Sequence, residues 1–312
     1  MGTFLIRRLV VGALTLWVIF TLCFFIMRFA PGSPITQEKG TNPEVKKNLE
    51  KHYGLDKPLP VQYARILAGY VQGDMGPSFY YRDRSVNELI WPAFRVSIFL
   101  GFISFLLAIA FGIPLGMFAA VKQNKIGDHL SMSVAIGGIC IPNFLLGPLL
   151  VLLFAFTFPI FKPAGWPQDW TSPKELAKLI LPAITLAFVH IAYISRLMRA
   201  GMLDVMRKDF IRTARAKGLN ERQVFAKHGL KNGVTPVISY IGPMAAAIIT
   251  GSIVVEKVFE IPGLGQHFVK SALNRDYGLA MGTVLVYSAL VIVFNLLVDI
   301  MYGILDPRVR VQ

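Results

Sequence analysis

Uncharged, mostly apolar residues come along this chain in six long blocks that show no regular polar face. None contains Asp, Glu, Lys or Arg; the blocks are Leu9–Met27, Val96–Val121, Leu130–Phe161, Leu179–Ser195, Asn232–Val255 and Tyr277–Val298. A helix needs about 17–25 residues to cross a bilayer core of roughly 30 Å. A soluble fold of 312 residues does not bury six helices that are apolar all round. The pattern predicts an all-α integral membrane protein with six transmembrane helices.

The chain has a net charge of +14, and many of its basic residues lie at the ends of the apolar blocks. Basic residues gather at ends that would share one side of a membrane: Arg7, Arg8, Lys122, Lys125, ten Lys or Arg between Ser195 and Asn232, Arg308 and Arg310. Positive residues favour the cytoplasmic side. We therefore expect a multi-pass membrane protein with both termini on the cytoplasmic side, and no nucleic-acid partner.

The same topology divides the chain into three parts. Residues 1–30 form a transmembrane anchor, 31–95 an external (periplasmic) segment, and 96–312 a five-helix core with a cytoplasmic loop at 196–231. The first apolar run exceeds the ~7–15 residues of a signal-peptide core, which favours an uncleaved anchor. Within the external segment, one amphipathic helix is predicted from Pro43 and a second around Val61–Tyr70, ended by Gly73.

Two features of the blocks bear on packing and on a pathway. Gly112 and Gly116 have the spacing of small residues that let membrane helices approach closely. Pro142, Pro148 and Pro159 divide the third block, and packing kinks explain them at least as well as a pathway does.

A few polar side chains lie within the predicted spans. The candidates for lining a pathway are Asn143, Asn295 and Asp299, the last two four residues apart on one helix face. His190 and Asp299 are placed near the inner ends of the fourth and sixth spans, where a structural role is favoured.

Sequence patterns that carry catalytic chemistry are missing. No phosphate-binding G-x-x-x-x-G-K-[ST] motif occurs, and the five histidines fall in different parts of the predicted topology. Cys23 and Cys140 both lie in predicted spans, so no metal site and no disulfide are expected. An enzyme is therefore disfavoured, and no cofactor is expected in this chain. If the protein moves a solute uphill, the energy must come from another chain.

The cytoplasmic loop is predicted to form two helices around a glycine turn. Met202–Lys217 reads as one helix with Met206, Phe210 and Ala214 on an apolar stripe, supported by an Asp204–Lys208 pair. Gly218 suits the left-handed position that ends a helix. Asn220 and Gln223 have the spacing of a capping box for the next helix.

Two interpretations of this loop fit its chemistry equally well. The small Ala214 and Ala216 beside the turn would let another protein approach closely. Alternatively, the basic hairpin binds anionic lipid at the cytoplasmic surface. The second interpretation extends to an ATP-independent channel or lipid-binding scaffold.

The stretch RTARAKGLNERQVFAKHGLKNGVTPVI resembles the cytoplasmic signature loop of bacterial ABC-importer permeases, in the form found in the peptide/nickel family. The likeness spans nearly the whole chain, in FLIRRL, RFAPGSP, GDMGPSF, AAVKQN, ILPAITLAF, GSIVVEKVFEIPGLGQHFVKSALNRDY and NLLVDIMYGILDPRVR. The APGSP and GPSFYYRDRSVNEL motifs are most similar to B-type subunits of oligopeptide permeases.

This resemblance implies the ABC-importer permease fold, a multi-pass location in the bacterial cytoplasmic (inner) membrane, and a set of partners. They are a second homologous permease, two ATPase subunits that hold ATP and Mg, an extracytoplasmic solute-binding protein and a peptide substrate moved by alternating access. Related importers for dipeptides, murein peptides or nickel chelates are the alternative.

The resemblance also implies roles for two groups of residues. The ATPase-coupling helix corresponds to Arg212, Thr213, Ala214, Arg215, Ala216, Lys217, Gly218 and Leu219, with Arg212 and Thr213 standing where the general family pattern has Glu and Ala. An outer gate or binding-protein contact corresponds to Glu256, Phe259, Pro262, Gly263 and Gly265.

Overall fold

The computed structural model describes residues 2–29, 54–81, 83–250 and 252–305. Within these ranges the ordered elements are helices, apart from one isolated antiparallel bridge between Pro77 and Ser85. The all-α prediction is therefore confirmed for the described part of the chain. The helix predicted to begin at Pro43 lies outside these residues.

The first half of the chain forms helices of very unequal length. They are α1 (Gly2–Phe29), α2 (Leu59–Val71), α3 (Val86–Val121), α4 (Ile126–Cys140), α5 (Asn143–Val151, continued by a wider turn over Leu152–Thr157) and the short α6 (Pro173–Leu176). α2 matches the second amphipathic helix predicted for the external segment, and Gly73 follows it with φ +81°.

The second half contains one long central helix and one long final helix. The elements are α7 (Ile180–Val205), α8 (Asp209–Ala216), α9 (Glu221–Gln223, continued by a wider turn over Val224–Gly229), α10 (Leu230–Gly233), α11 (Thr235–Thr250), α12 (Ser252–Val258), α13 (Leu264–Leu273) and α14 (Tyr277–Leu305).

Several helices have the length and composition to cross a membrane. Among the described residues four qualify, within Leu5–Phe29, Val86–Val121, Pro173–Val205 and Tyr277–Leu297, and α4 with α5 makes a fifth if that pair is one span. The apolar part of α11, Thr235–Ile248, is shorter. The chain thus has several apolar helices that suit a membrane, and the count of six remains a prediction.

The third apolar block is not one kinked helix. α4 and α5 meet at an angle of 110° across Ile141 and Pro142. Ile141 has an extended backbone (φ −88°, ψ 115°), because a following proline disfavours the helical conformation. The chain therefore turns sharply here, forming a broken span or a re-entrant loop.

The chain folds into two compact units. Of the described residues, those within 2–97 and 262–296 form unit 1, and those within 98–261 and 297–305 form unit 2. Both α3 and α14 contribute residues to each unit.

In unit 1, α1 meets α2 through aromatic side chains. The rings of Phe20 and Phe24 make edge contacts with Tyr63, at centroid distances of 5.5 and 5.3 Å. The Thr21 Oγ1 and Tyr63 hydroxyl oxygens are 2.8 Å apart. Met281 of α14 packs into the same cluster. The rest of α1 is largely exposed, with only 17% of its most apolar stretch buried, so most of this helix is available to lipid.

A buried carboxylate joins two distant stretches of unit 1. Asp276, which is fully buried, precedes α14 and accepts the Leu279 N–H at 3.1 Å, as an N-cap residue does. It also accepts the Ser78 hydroxyl and the N–H groups of Phe79 (3.0 Å) and Tyr80 (3.3 Å). The start of α14 is therefore tied to the segment that precedes α3.

In unit 2, α7 packs against its neighbours at points where only glycine fits. A Cβ on Gly112 of α3 would lie 2.7 Å from the Ile194 side chain, and one on Gly116 would collide with the Ser195 carbonyl oxygen. Gly138 of α4 meets Phe188 at 3.1 Å in the same way. The predicted close approach at Gly112 and Gly116 is confirmed.

The C-terminal half of α7 carries a buried ion pair with α4. Arg199 donates from Nε and Nη2 to the two carboxylate oxygens of Asp128, at 2.6 and 2.7 Å. The Asp128 side chain is 2% exposed and the Arg199 side chain 25%. His190 lies in the middle of α7 rather than near its inner end, because α7 continues to Val205, ten residues beyond the predicted span. Its Nδ1 is 2.9 Å from the Tyr240 hydroxyl.

We predict that Gly116→Val destabilises the protein, because the added side chain has to push α3 away from α7. Overpacking of this kind costs about 1–3 kcal/mol. Gly137→Val on α4 is the matched control, since no atom lies within 4 Å of a Cβ there. Thermal unfolding in mild detergent should show a lower midpoint for Gly116→Val only. Equal midpoints for the two variants would contradict the packing described here.

We also predict that Asp128→Asn lowers stability more than Asp204→Asn does. Loss of the buried carboxylate leaves Arg199 without its partner, at a cost of about 2 kcal/mol or more. Asp204 pairs with Lys208 at 3.2 Å on an open surface, where side chains are 69% and 53% exposed, so its loss should cost less than about 1 kcal/mol. Unfolding midpoints of the two variants test this order, and equal shifts would contradict it.

Candidate functional site

The loop predicted to be cytoplasmic contains a compact hairpin, which we call the elbow and define as residues 209–223. It begins after a break that the sequence did not predict. α7 ends at Val205, and Lys208 is extended (φ −76°, ψ 152°) before α8 starts at Asp209. The predicted single helix over Met202–Lys217 is therefore wrong. The Arg207 and Lys208 N–H groups bond to carbonyls three residues back, at 3.3 and 3.0 Å, which tightens and ends the helix.

The break changes which side chains of α8 face inward. Ile211 and Ala214 are 0% and 5% exposed and pack with Val205 of α7 and with Val224. Phe210, predicted to lie on the apolar stripe, is 44% exposed. Ala214 therefore fills the centre of the elbow and does not present its methyl group to an approaching surface. Ala216 is exposed, as expected.

The turn between α8 and α9 depends on Gly218. Its φ is +82°, the left-handed conformation that glycine adopts readily, and its N–H bonds to the Arg215 carbonyl at 2.9 Å. No atom lies within 4 Å of the position a Cβ would take. The space beside this turn is therefore open on the surface of the chain.

Two sets of hydrogen bonds hold the second arm of the elbow. Asn220 accepts the Gln223 N–H at 2.9 Å, and the Gln223 side chain accepts the Asn220 N–H at 3.3 Å, which confirms the predicted capping box. Arg215 of α8 reaches across the turn to Glu221 and donates from Nε and Nη2 at 2.8 and 3.2 Å. Both arms are thus tied together beside Gly218.

The outward surface of the elbow is basic. The exposed members of the predicted coupling set are Arg212, Thr213, Arg215, Ala216, Lys217 and Gly218, while Leu219 is half-buried. Arg212 lies 3.5 Å from Asp209, with side chains that are 78% and 94% exposed. Such an open pair is worth less than about 1 kcal/mol, so Arg212 is available to another partner.

The residues predicted for an outer gate fall in three local settings. Glu256 on α12 and Phe259 just after it are buried in unit 2. Pro262, in unit 1, is exposed. Gly263 and Gly265 are buried at the start of α13, where the Leu264 N–H donates to Ser97 Oγ at 2.8 Å. Only Pro262 of this set presents an open side chain, and the gate assignment stays a prediction.

α13 also carries a shielded histidine, His267. Burial lowers the pKa of His267, and the nearby Lys270 lowers it further. We therefore expect this imidazole to be neutral near pH 7. Its ring lies 6.5 Å from that of Tyr81, in an edge arrangement.

The three pathway candidates lie on two helices, Asn143 on α5 and Asn295 with Asp299 on α14. Asn143 begins α5 directly after the Pro142 break, and its Oδ1 is buried without a hydrogen-bond partner among the described residues. Asn295 is exposed on α14, and Asp299 is half-buried one turn later. Their place in a pathway stays a prediction.

Sequence reasoning missed two carboxylates that organise the structure, Asp128 and Asp276. An Asp directly before the apolar run from Tyr277 is a helix-start signal, and it could have identified Asp276 as a cap. Nothing local marks Asp128 as the partner of Arg199, which lies 71 residues away.

Comparison with known families matches two models to this chain. The binding-protein-dependent transport system inner membrane component matches residues 112–311, and the N-terminal membrane component of the same systems matches residues 1–83. The oligopeptide transport system permease protein OppB of Salmonella typhimurium is 44% identical over 307 residues, covering 98% of this chain and 99% of the relative. OppB of Haemophilus influenzae is 43% identical over the same lengths. The dipeptide transport system permease protein DppB of Bacillus subtilis is 43% identical over 312 residues, or 100% of this chain and 99% of the relative.

Solved structures share the fold at low identity. The MetNI methionine ABC transporter in an inward-facing conformation matches with a TM-score of 0.55 at 15% identity, over 70% of this chain and 96% of the other. An amino acid ABC transporter with histidines matches with a TM-score of 0.52 at 16% identity, over 69% and 93%. With more than half of the chain matched by one model and full-length relatives above 40% identity, this protein belongs to the family of binding-protein-dependent transport system inner membrane components.

Proposed function

We propose that this chain is the transmembrane permease subunit of an ATP-driven, binding-protein-dependent oligopeptide importer. The observation that carries the proposal is the 43–44% identity, over nearly the full length, to permeases named for oligopeptide transport. In this role the chain crosses the cytoplasmic membrane six times, with both termini inside, and forms half of a pathway that opens to alternate sides. A second homologous permease supplies the other half.

The elbow is the part of the chain that we assign to the ATPase partners. Its hydrogen-bonded arms and small core favour movement as one body, while the open space beside Gly218 and the exposed Ala216 allow a second backbone to come close. Exposed Arg212 and Lys217 add donors for acidic or carbonyl groups of the partner. ATP and Mg would be bound by that partner. This chain would take part only through the movement that the partner imposes on the elbow.

A route from the elbow into the membrane is supported by the contacts of α7. Ile211 and Ala214 pack on Val205, the last residue of that helix. α7 in turn is held to α4 through Arg199 and Asp128. A push on the elbow would therefore tilt α7 with its neighbours rather than bend the loop. An effector can shift such a two-state switch only by contacting its states differently.

Dipeptide import is the second candidate. The Bacillus subtilis permease DppB is as similar to this chain as the oligopeptide permeases are, and the match covers the whole chain. Uptake of labelled peptides of graded length, in cells that carry this permease with its neighbouring genes, separates the two candidates. We expect peptides longer than two residues to be imported. Uptake restricted to dipeptides would overturn the oligopeptide assignment.

Co-purification tests the partner set directly. The full chain, isolated in mild detergent, should bring down a second permease and two ATPase chains, and the assembly should hydrolyse ATP. A chain that purifies alone and still conducts solute without ATP would favour the channel or scaffold alternative.

We predict that Gly218→Asn abolishes peptide-stimulated ATP hydrolysis and uptake. Asn tolerates the left-handed conformation, so the backbone strain is small, yet its side chain fills the space reserved for a partner. Gly73→Asn is the matched control, because Gly73 has nearly the same φ, +81°, and likewise no atom within 4 Å. Uptake, ATP hydrolysis and the amount of intact chain in the membrane are measured for both.

The control should behave like the wild type, and Gly218→Asn should reach the membrane in normal amount. Normal uptake with Gly218→Asn would rule out a close contact at this turn. Equal loss with both variants would point to a backbone effect rather than to a partner.

A further inference from the structure

Unit 1 contains a cavity that the proposed transport function does not use. It has a volume of about 180 Å³ and lies among the last turn of α1, the segment 54–79 and the start of α14. Its apolar wall includes Phe24, Met27, Ile66, Phe79 and Met281. A space of this kind suits a ligand that is partly apolar.

Positive charge predominates in the same cavity. Arg28, Lys57 and Arg65 line it, against the single carboxylate of Asp74. Asp74 Oδ1 accepts the Gly76 N–H at 2.9 Å, so this carboxylate is already engaged. Among the described residues no acidic side chain lies within ion-pair distance of the three cations. The described lining residues thus carry a net charge of +2, which suits an anionic occupant.

Two of the three cationic residues contact a neighbouring group beside the cavity, and Lys57 and Arg65 are exposed. The Arg28 guanidinium lies over the Phe24 ring, 5.4 Å from its centroid. The Arg65 Nη1 lies against the backbone of Gly54, where a Cβ would be 2.7 Å away. Gln62, which is 6% exposed, also lines the cavity, and its Oε1 has no hydrogen-bond partner in the described part of the chain. A ligand hydroxyl is the group that this acceptor lacks.

The cavity adjoins an exposed apolar surface. On the last turns of α1, Phe25, Ile26 and Phe29 are 39%, 66% and 75% exposed, although they are large and apolar. In a bilayer, acyl chains would cover such residues, and an arginine near the end of the span, such as Arg28, would extend its charged group toward the headgroups. An occupant that is anionic at one end and apolar at the other therefore fits both the cavity and its surroundings.

We propose that this cavity binds the headgroup of an anionic phospholipid. The phosphodiester would meet Arg28, Lys57 and Arg65, while the acyl chains lie along the outer turns of α1. A zwitterionic headgroup would neutralise its own phosphate and leave the two excess charges unmet. A free phosphate would satisfy the cations but not the apolar wall. The proposal stands whichever peptide the importer carries.

Lipid retention by the full chain, purified with any co-purifying partners, tests the proposal. The protein is placed in nanodiscs of phosphatidylethanolamine alone or mixed with phosphatidylglycerol, washed in detergent, and its bound lipid is measured by mass spectrometry. We expect the wild type to retain phosphatidylglycerol, and the double variant Lys57→Gln/Arg65→Gln to lose about fivefold for each cation removed. Excess glycerol 3-phosphate or inorganic phosphate should not displace the lipid.

Two further variants separate a site from general surface charge and from misfolding. Arg84→Gln/Arg95→Gln removes two exposed cations of unit 1 that do not line the cavity, and it should retain lipid normally. Lys57→Arg/Arg65→Lys keeps the charge and should also bind. Equal retention by the glutamine variant and the wild type would overturn the proposal. Equal loss in the Arg84/Arg95 control, loss in the charge-preserving variant, equal retention of phosphatidylethanolamine, or full displacement by phosphate would each overturn it as well.

Discussion

Close approach of helix backbones at α7 is the constraint on which the rest of unit 2 depends. Lipid tails are as apolar as leucine, so burial of apolar area alone does not drive helices together inside a membrane. Association then relies on dense packing and on polar contacts between helices. Gly112 and Gly116 bring α3 against α7, and Gly138 brings α4 against it. A Cβ on Gly201 of α7 would collide with the Gly233 carbonyl oxygen, so no larger residue fits there. Glycine at these crossing points lets α7 lie close to several neighbours, and its larger side chains pack between them.

Polar contacts fix the relative positions of the packed elements. A buried pair such as Asp128 and Arg199 contributes little net stability, because its desolvation offsets much of the attraction. It does allow one arrangement of α4 and α7 and penalises others, since a shift would leave two charges unpaired. Asp276 has the same effect in unit 1, where its carboxylate serves as the cap of α14 and as the acceptor for Ser78. In both units a carboxylate selects the register between helices that glycine contacts or apolar side chains bring together.

Features set by neighbouring residues were predictable from the sequence, and those set by distant residues were not. Four of the long apolar helices, the left-handed Gly218 and the Asn220–Gln223 box each follow from consecutive positions, and the described part of the chain contains them. The break after Val205 and the inward turn of Ala214 depend on packing against Val224, which no local pattern reveals. Asp276 and Ser78 are 198 residues apart, so their contact is a property of the fold alone. The 110° turn is the exception, because Ile141 before Pro142 is a local signal that was interpreted only as a kink.

The burial of Ala214 changes how the elbow would serve as a coupling element. A partner cannot insert a side chain beside this alanine, because Val205, Ile211 and Val224 already enclose it. The small residue instead lets α8 lie close to the end of α7, while the exposed Ala216 and Gly218 leave room outside. Ala214 would thus serve packing within the elbow, and Ala216 would leave room for a partner outside it. An elbow that is packed on its own helix and ion-paired across its turn transmits a displacement with little internal deformation, because close-packed interiors deform little under load. The stiffness required of such a link is already built into α8, the Gly218 turn and the Arg215–Glu221 pair.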